Sequence, residues 1–137
     1  MNKIRRFLRA AVCAAPLFVG ATLAHAETEA TGTEASSQRC VAINRIDQLK
    51  VVDRENVLFY MRGKEVYLNQ LPHPCPGLSR HKTLMYRTSL NQLCDVDVIT
   101  VLEDIGGGFM PGASCGLGAF TPISAEEAET LLDEARK

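Results

Sequence analysis

The chain has 137 residues, with 15 Lys and Arg against 16 Asp and Glu, and 46% of its residues are hydrophobic. All 16 acids follow residue 26, whereas four of the 15 bases precede it, so residues 27–137 carry eleven bases, 16 acids and a net charge of −5. The sequence has no basic stripe that could neutralise phosphates, which makes nucleic acid and anionic membrane surfaces poor candidates for a partner.

The first 26 residues have the three parts of a secretory signal peptide. The n-region carries four positive charges, from Lys3, Arg5, Arg6 and Arg9. An apolar stretch follows over residues 10–23, and Ala24-His25-Ala26 has the small-x-small pattern of a cleavage site. Because the apolar stretch is shorter than the about 20 residues of a membrane helix, we expect cleavage after Ala26, no retained transmembrane anchor, and a periplasmic or secreted protein.

Residues 27–39 form a predicted linker between the signal peptide and the folded domain. They are rich in Glu, Thr, Ser, Gly and Ala and contain no bulky apolar side chain. Such a segment buries too little surface to offset its ordering entropy, so we expect it to be disordered. Residues 40–137 are then a single domain of about 100 residues, which is large enough to bury a core of its own.

Four cysteines follow the signal peptide: Cys40, Cys75, Cys94 and Cys115. Structural zinc sites usually take cysteines in close pairs, whereas these are widely spaced, and two disulfides are the expectation for an exported chain. Free thiols and metal ligation are the alternatives. Of the three possible connectivities we favour Cys40 with Cys94 and Cys75 with Cys115, which would tie the first strand to the middle of the fold and the central loop to its end.

The first half of the domain has the pattern of short strands. Residues 40–46 and 49–52 are β-branched runs. The clearest element is a hairpin, in which apolar and polar side chains alternate over residues 57–62 and 65–69 on either side of a Gly63-Lys64 turn. Three prolines then end strand pairing, since proline lacks the N–H that a ladder needs; they are Pro72, Pro74 and Pro76.

The second half adds two strands and a helix. Residues 83–89 are predicted to resume as a strand, and residues 96–102, apolar on both faces, to form a central buried strand. Ser124 and Glu127 have the spacing of a capping box, and an apolar stripe follows, which predicts a helix over residues 124–136. We expect this helix to pack on the sheet, with partner binding as the alternative. The fold class is therefore mainly β: a small curled antiparallel sheet or barrel of the oligonucleotide-binding or SH3 kind, with one C-terminal helix.

Several segments together resemble a family of small exported bacterial proteins classified as domain of unknown function 6491. They are the first cysteine of the domain, the run VVDRENVLFYMRGKEVYLNQL within residues 46–71, the Cys75-Pro76-Gly77-Leu78 step, the Leu93-Cys94 motif with Asp97, Ile99 and Val101, and Cys115-Gly116-Leu117-Gly118. The resemblance covers roughly residues 39–123. It implies a bacterial, periplasmic protein with a compact β fold, and it transfers no activity.

One motif could indicate serine catalysis. Gly112-Ala113-Ser114-Cys115-Gly116 satisfies G-x-S-x-G, which presents a nucleophile on a strand-to-helix turn. The context differs from an α/β-hydrolase, because no helix follows directly and the histidines of the domain, His73 and His81, lie upstream in a proline-rich loop. A small envelope hydrolase using Ser114 or His73 and His81 is therefore only an alternative.

His73, Cys75 and His81 could also form a copper or zinc site, since imidazole and sulfur suit those metals. Three methionines supply further sulfur: Met61, Met85 and Met110. An oxidised Cys75 would have no thiolate to offer, and the sequence lacks the C-x-x-C of redox proteins and the C-x-x-C-H of haem attachment. We therefore expect no metal and no cofactor.

Two more patterns have ordinary structural explanations. The glycine-rich stretch 106–112 lacks the Gly-Lys-Ser/Thr ending of a phosphate loop, so we expect a mobile surface loop. The acids around the predicted central strand lack the order of a calcium loop, so we expect solvated strand ends; they are Asp95, Asp97, Glu103 and Asp104.

These observations favour a non-enzymatic binding or interaction module rather than an enzyme. Binding residues are often carried by loops on a rigid scaffold, and the sequence predicts two long Pro- or Gly-rich loops, at residues 72–82 and 106–118. We expect these loops to form the binding face, with an envelope protein or a small ligand as the partner.

Overall fold

The computed structural model describes residues 36–137, and the predicted signal peptide and the predicted linker up to residue 35 lie outside this range. In chain order the elements are β1 (Cys40–Ala42), β2 (Ile46–Val51), β3 (Asn56–Met61), β4 (Val66–Gln70), β5 (Thr83–Tyr86), β6 (Gln92–Cys94), β7 (Val98–Asp104), β8 (Phe109–Gly116), β9 (Phe120–Ile123) and α1 (Ala125–Glu134). A single 3-10 turn, Ile43–Arg45, separates β1 from β2.

The strands form three antiparallel sheets. The largest has the order β2-β3-β4-β9, the second has the order β5-β7-β8, and β1 pairs with β6. The mainly β fold with one C-terminal helix and two disulfides is confirmed, but within residues 36–137 the strands do not close into a barrel. The 3-10 turn after β1 and the prolines between β4 and β5 interrupt pairing where a barrel would have to continue.

The predicted central hairpin is confirmed. β3 and β4 pair from Asn56 with Gln70 to Tyr60 with Val66. Gly63 and Lys64 both have positive φ, 106° and 75°, which matches the right-handed strand twist at a tight hairpin. The alternation of this hairpin divides its side chains between the two faces of the four-stranded sheet.

One face of this sheet is covered by the three-stranded sheet. Val57 and Phe59 of β3 point into the main core, which also contains Ile99 and Val101 of β7. There the ring of Phe59 meets the ring of Phe120 edge to face, with centroids 5.1 Å apart and planes at 80°, a favoured aromatic geometry.

The other face of the sheet is covered by the helix. Leu58 and Val66 contact Ala128 in a second cluster, and Leu131 and Leu132 pack against it. Ser124 caps α1, because its hydroxyl accepts a hydrogen bond from the backbone N–H of Glu127 at 3.1 Å. The helix therefore packs on the sheet, as expected, although it ends at Glu134 rather than residue 136.

Three features of the second sheet differ from the sequence-based expectation. The predicted strand over residues 96–102 begins at Val98 and ends at Asp104, and Val96 is 76% exposed. Only alternate residues of β7, Ile99 and Val101, are fully buried, and its other residues are half-buried or exposed. Most of the predicted loop over residues 106–118 is strand β8, which the glycines and Pro111 concealed.

The beginning of the fold also differs. The predicted strand over residues 40–46 is broken by the 3-10 turn. The folded part includes Gln38 and Arg39, which the sequence analysis assigned to the linker: Gln38 forms two backbone hydrogen bonds with Phe120, at 2.9 and 2.8 Å, and Arg39 forms a bidentate ion pair with Asp95. Backbone pairing and charge order this segment even though it has no bulky apolar side chain.

The disulfides join Cys40 to Cys94 and Cys75 to Cys115, the connectivity favoured from the sequence. The first lies between the paired strands β1 and β6, where Cys40 is directly opposite Cys94. The second joins the proline-rich loop to β8. The two disulfides close loops of 54 and 40 residues. In a chain-entropy model, each disulfide stabilises the fold by about 4 kcal/mol because it restricts the unfolded chain.

Candidate binding clefts

One cleft, called the basic cleft below, has a volume of about 500 Å³. It is lined by residues 48–51 of β2, by residues 80–82 of the loop before β5, and by Leu132 and Arg136 of the C-terminal segment. These three segments are far apart in sequence, and only the tertiary structure brings them together.

The basic cleft lies along the backbone edge of β2. Side chains alternate between the two faces of a strand, so a cavity above one face would be lined by every second residue. This cleft is instead lined by four consecutive residues of β2, and β2 is the outermost strand of its sheet. The cleft therefore runs along an edge where β2 has no neighbouring strand among residues 36–137.

The two walls of the basic cleft belong to the two hydrophobic clusters. On one side, Leu132 of α1 packs in the cluster beneath the helix. On the other, residues 80–82 lie between Leu78 and Leu84, and both of these leucines pack in the main core. Each wall is thus anchored by apolar packing, and Leu49 and Val51 of β2 pack with the main core as well.

The lining of the basic cleft is positively charged. It contains four cationic side chains and no acidic one; the cations are Lys50, Arg80, Lys82 and Arg136. Acids outside the lining pair with two of them, Glu103 with Lys82 and Asp133 with Arg136, the latter at 3.2 Å. Arg80 forms no salt bridge with any described residue. Glu129 and Asp133 line a smaller pocket beside Lys50 and Arg136. The positive charge that the described part of the cleft offers to an anionic ligand without an acidic partner is therefore that of Arg80.

Lys50 is positioned by an aromatic ring. Its Nζ lies 4.7 Å from the centroid of the Tyr60 ring, within the range of a cation–π interaction. Burial, and to a lesser extent the nearby negative charge of Glu129, raise the pKa of Tyr60. The phenol therefore stays neutral at ordinary pH, and the ring holds Lys50 without cancelling its charge.

The second cleft, called the disulfide cleft below, has a volume of about 250 Å³. It lies where the Cys75–Cys115 bond joins the proline-rich loop to β8, and Pro72, His73, Pro74 and Pro76 face residues 114–116 across it. The first part of the loop over residues 72–82 meets β8, while the last part of the same loop lines the basic cleft.

The residues of the serine hypothesis are only partly brought together. His73 and Ser114 line the same cleft, but His81 lines the other one. The hydroxyl of Ser114 hydrogen-bonds the hydroxyl of Thr100 at 2.8 Å, and none of the hydrogen bonds within residues 36–137 joins Ser114 to a histidine. The described structure therefore contains no activated serine–histidine pair.

The residues of the metal hypothesis are separated. His73 and His81 line different clefts, Cys75 is oxidised, and Met61 is buried whereas Met110 is exposed. Across the described part of the chain, no three His, Cys, Asp or Glu side chains are grouped so that they could hold a metal ion.

The four acids around β7 all take part in local structure. Asp95 pairs with Arg39, and Glu103 with Lys82. Asp97 accepts a hydrogen bond from the N–H of Cys94 at 2.7 Å, and Asp104 accepts one from the N–H of Gly106 at 2.8 Å. These interactions fix strand ends and the hairpin turn.

The glycine-rich stretch forms the tip of the β7–β8 hairpin. The backbone N–H of Ile105 donates to the carbonyl of Gly108 at 3.1 Å, and Gly106 has a φ of 79°. Ile105, Phe109 and Met110 are 62%, 60% and 54% exposed. The segment begins no helix and forms an exposed apolar tip.

Sequence reasoning missed the basic cleft. Lys50 and Arg136 are isolated in sequence, and no spacing rule connects them with Arg80. The one available signal was the run Arg80-His81-Lys82, three consecutive basic side chains in a domain whose charge after residue 26 is acidic. Within the described range, no helix is long and apolar enough to cross a membrane.

The fold and the clefts together define a small disulfide-bonded β protein with a charged, ligand-sized cleft at a sheet edge. The chain belongs to a family of unknown function, DUF6491, whose family model matches residues 3–137. This range extends beyond the residues that carried the resemblance in the sequence. No curated protein and no solved structure matches the chain.

Proposed function

We propose that the protein is an exported, non-enzymatic binding module that takes an anionic ligand in the basic cleft. The signal-like N-terminus and the two disulfides support export to an oxidising compartment such as the periplasm. The observation that carries the binding proposal is the charge of the cleft: four cations and no acid in a lining that is otherwise polar and aliphatic.

Binding is favoured over catalysis by what surrounds the cations. General acid–base or nucleophilic chemistry needs a positioned pair of reacting groups, and Arg and Lys side chains on three separate segments do not supply one. They do supply what an anion needs, which is hydrogen-bond donors from several directions at fixed positions. Ligand exchange is easy because the cleft is open to solvent on the outer side of β2.

The test is an NMR titration of the protein with citrate, and separately with inorganic phosphate, at constant ionic strength. We expect saturable shifts of the backbone signals of Lys50, Arg80 and Arg136. The double variant Arg80→Gln/Arg136→Gln should weaken binding about tenfold, because each partly exposed charge contributes about 0.7 kcal/mol and tenfold corresponds to about 1.4 kcal/mol.

The matched control is Arg62→Gln/Arg87→Gln, which removes two positive charges from exposed positions that do not line the cleft. It should leave the affinity within about twofold, since distant surface charges are screened at physiological salt. Equal weakening by both double variants would show that binding reports only net charge. Shifts confined to residues outside the basic cleft would place the anion elsewhere and overturn the proposal.

A further inference from the structure

The backbone of β2 has free hydrogen-bonding groups on the side that faces the basic cleft. The N–H of Val52 donates to the carbonyl of Asn56 at 2.9 Å, so the register makes Lys50–Leu58 and Gln48–Tyr60 the other hydrogen-bonded pairs with β3. The intervening residues, Leu49 and Val51, must direct their N–H and C=O groups away from β3.

A second hydrogen bond supports the same assignment of which residues of β2 pair with β3. The N–H of Met61 donates to the carbonyl of Glu65 at 2.9 Å, which shows that the odd-numbered residues of β3 pair with β4 and leaves the even-numbered ones for β2. Outside the sheet ladder, no backbone hydrogen bond between residues 36 and 137 involves Leu49 or Val51. Their outward groups therefore form a short template for another strand.

The position of this template is fixed by packing. The side chain of Val51 is buried in the main core, and that of Leu49 packs against it. Their backbones cannot turn away from the cleft without exposing these side chains. Four residues of β2 line the cleft, a length of about 13 Å at 3.3 Å per residue, which suits an extended segment of about four residues.

The charges on the two walls indicate which side chains this segment carries. Lys50 and Arg136 lie on the helix side of β2, whereas Arg80 and Lys82 lie on the side of the main core. Side chains of a strand added to β2 would alternate between these two sides. Acidic side chains on both faces of the segment would then meet cations on either side, of which Lys82 and Arg136 are shared with Glu103 and Asp133.

We propose that the ligand of the basic cleft is an extended acidic peptide that adds to β2 as a fifth strand of the four-stranded sheet. This inference rests on the proposed function and narrows it to one class of partner. Main-chain hydrogen bonds to Leu49 and Val51 supply affinity, as in other cases of strand addition, and the cations on the two walls supply specificity.

The test uses an acetylated and amidated eight-residue peptide of Val, Thr and Glu, with Glu at positions 3, 4, 5 and 6. A set of peptides each N-methylated at one position is compared with it by calorimetry, and amide exchange of the protein is followed by NMR. Among positions 3 to 6, we expect N-methylation at two alternate positions to weaken binding at least tenfold. N-methylation at the two positions between and beside them should weaken it less than twofold. Amide exchange at Leu49 and Val51 should slow when the peptide binds.

The matched control peptide has Gln in place of every Glu and should bind at least tenfold more weakly. Binding of the acidic peptide with equal effects of all N-methylations, or with unchanged exchange at Leu49 and Val51, would overturn strand addition and leave the anion site intact. Absence of binding by citrate, phosphate and peptide alike would overturn both proposals. If the protein instead forms a concentration-dependent dimer without peptide, and exchange at Leu49 and Val51 slows in that dimer, the occupant of the β2 edge is a second copy of the chain. That result would overturn the acidic-peptide proposal.

Discussion

The outer edges of β2 and β8 both end a sheet, but they are built differently. β2 runs along a cleft with a wall on each side, formed by α1 and by residues 80–82, and the lining is cationic. β8 is exposed along most of its length, contains Pro111, and leads to a hairpin tip with apolar side chains. One edge is enclosed and charged; the other is open and interrupted.

The difference shows how a small β protein can keep one sheet edge available while protecting another. Pro111 has no N–H to offer to an incoming strand, which is a common way to blunt an edge. The β2 edge has no proline, and under the strand-addition proposal its flanking walls and charges select a segment of matching shape and charge. Availability for pairing therefore depends on what surrounds an edge as much as on the strand itself.

The largest loss of stability should come from removing the Cys75–Cys115 disulfide, which connects β8 to the loop that borders the basic cleft. Cys75→Ala/Cys115→Ala separates β8 from the loop that leads to residues 80–82. We expect the free energy of unfolding, measured in urea, to fall by about 2–5 kcal/mol. We also expect anion affinity in the folded protein to fall, because one wall of the basic cleft loses an attachment.

The matched variant is Cys40→Ala/Cys94→Ala, which opens a loop of similar length between β1 and β6. It should cost a similar free energy of unfolding and leave anion affinity in the folded protein unchanged. If the two double variants weaken anion binding equally, the Cys75–Cys115 bond has no specific role in shaping the cleft.

A smaller change in stability is expected at acidic pH from the Arg39–Asp95 ion pair, which lies away from the β2 and β8 edges. Hydrogen bonding from Arg39 lowers the pKa of Asp95 below its usual value. A carboxylate with a lowered folded-state pKa stabilises the fold above its unfolded pKa of about 3.9, and this contribution is lost as the pH falls through the lower folded value. Asp95→Asn should therefore be less stable than the parent at pH 7 and lose less stability between pH 5 and pH 2.

Thermal unfolding at several pH values measures this change, with Asp104→Asn as the control at another exposed carboxylate. Anion affinity of the Asp95→Asn variant at neutral pH should equal that of the parent, because Asp95 lines neither cleft. A pH profile identical to that of the parent would show that the Arg39–Asp95 pair contributes nothing to stability.

The smallest effect is expected from removing Pro111, which protects the outer edge of β8 from pairing with another strand. Pro111→Thr restores an N–H and a β-branched side chain at an exposed position. We expect little change in the free energy of unfolding but more self-association at high protein concentration, measured by sedimentation velocity. Ser114→Thr, on the same strand, serves as a control that changes no backbone donor. Self-association that is the same in all three proteins would show that Pro111 does not blunt this edge.

The local patterns of the chain were sufficient for its most regular parts. Alternation and a Gly63-Lys64 turn defined the β3–β4 hairpin, and the Ser124 cap defined the start of α1. Strand β8 was missed because proline and glycine reduce the intrinsic preference for a strand, while pairing with β7 overrides it.

Gly118 illustrates a constraint that the sequence does not reveal. Its N–H donates to the side-chain oxygen of the buried Asn69 at 2.9 Å, and its carbonyl accepts from the amide nitrogen of the same side chain at 2.6 Å. A Cβ at this position would lie 2.0 Å from the carbonyl oxygen of Gln70. The glycine is therefore required by a close approach of two backbone segments that are 48 residues apart.

The sequence by itself determined the mainly β class, the central hairpin and the capped helix, because each depends on side-chain periodicity or on residues within one or two turns of each other. It also pointed to two disulfides, through the number and spacing of the cysteines. The division into three sheets and the basic cleft were decided by the tertiary structure. Packing in two separate clusters brings β2, residues 80–82 and Arg136 together, and no local interaction encodes that meeting.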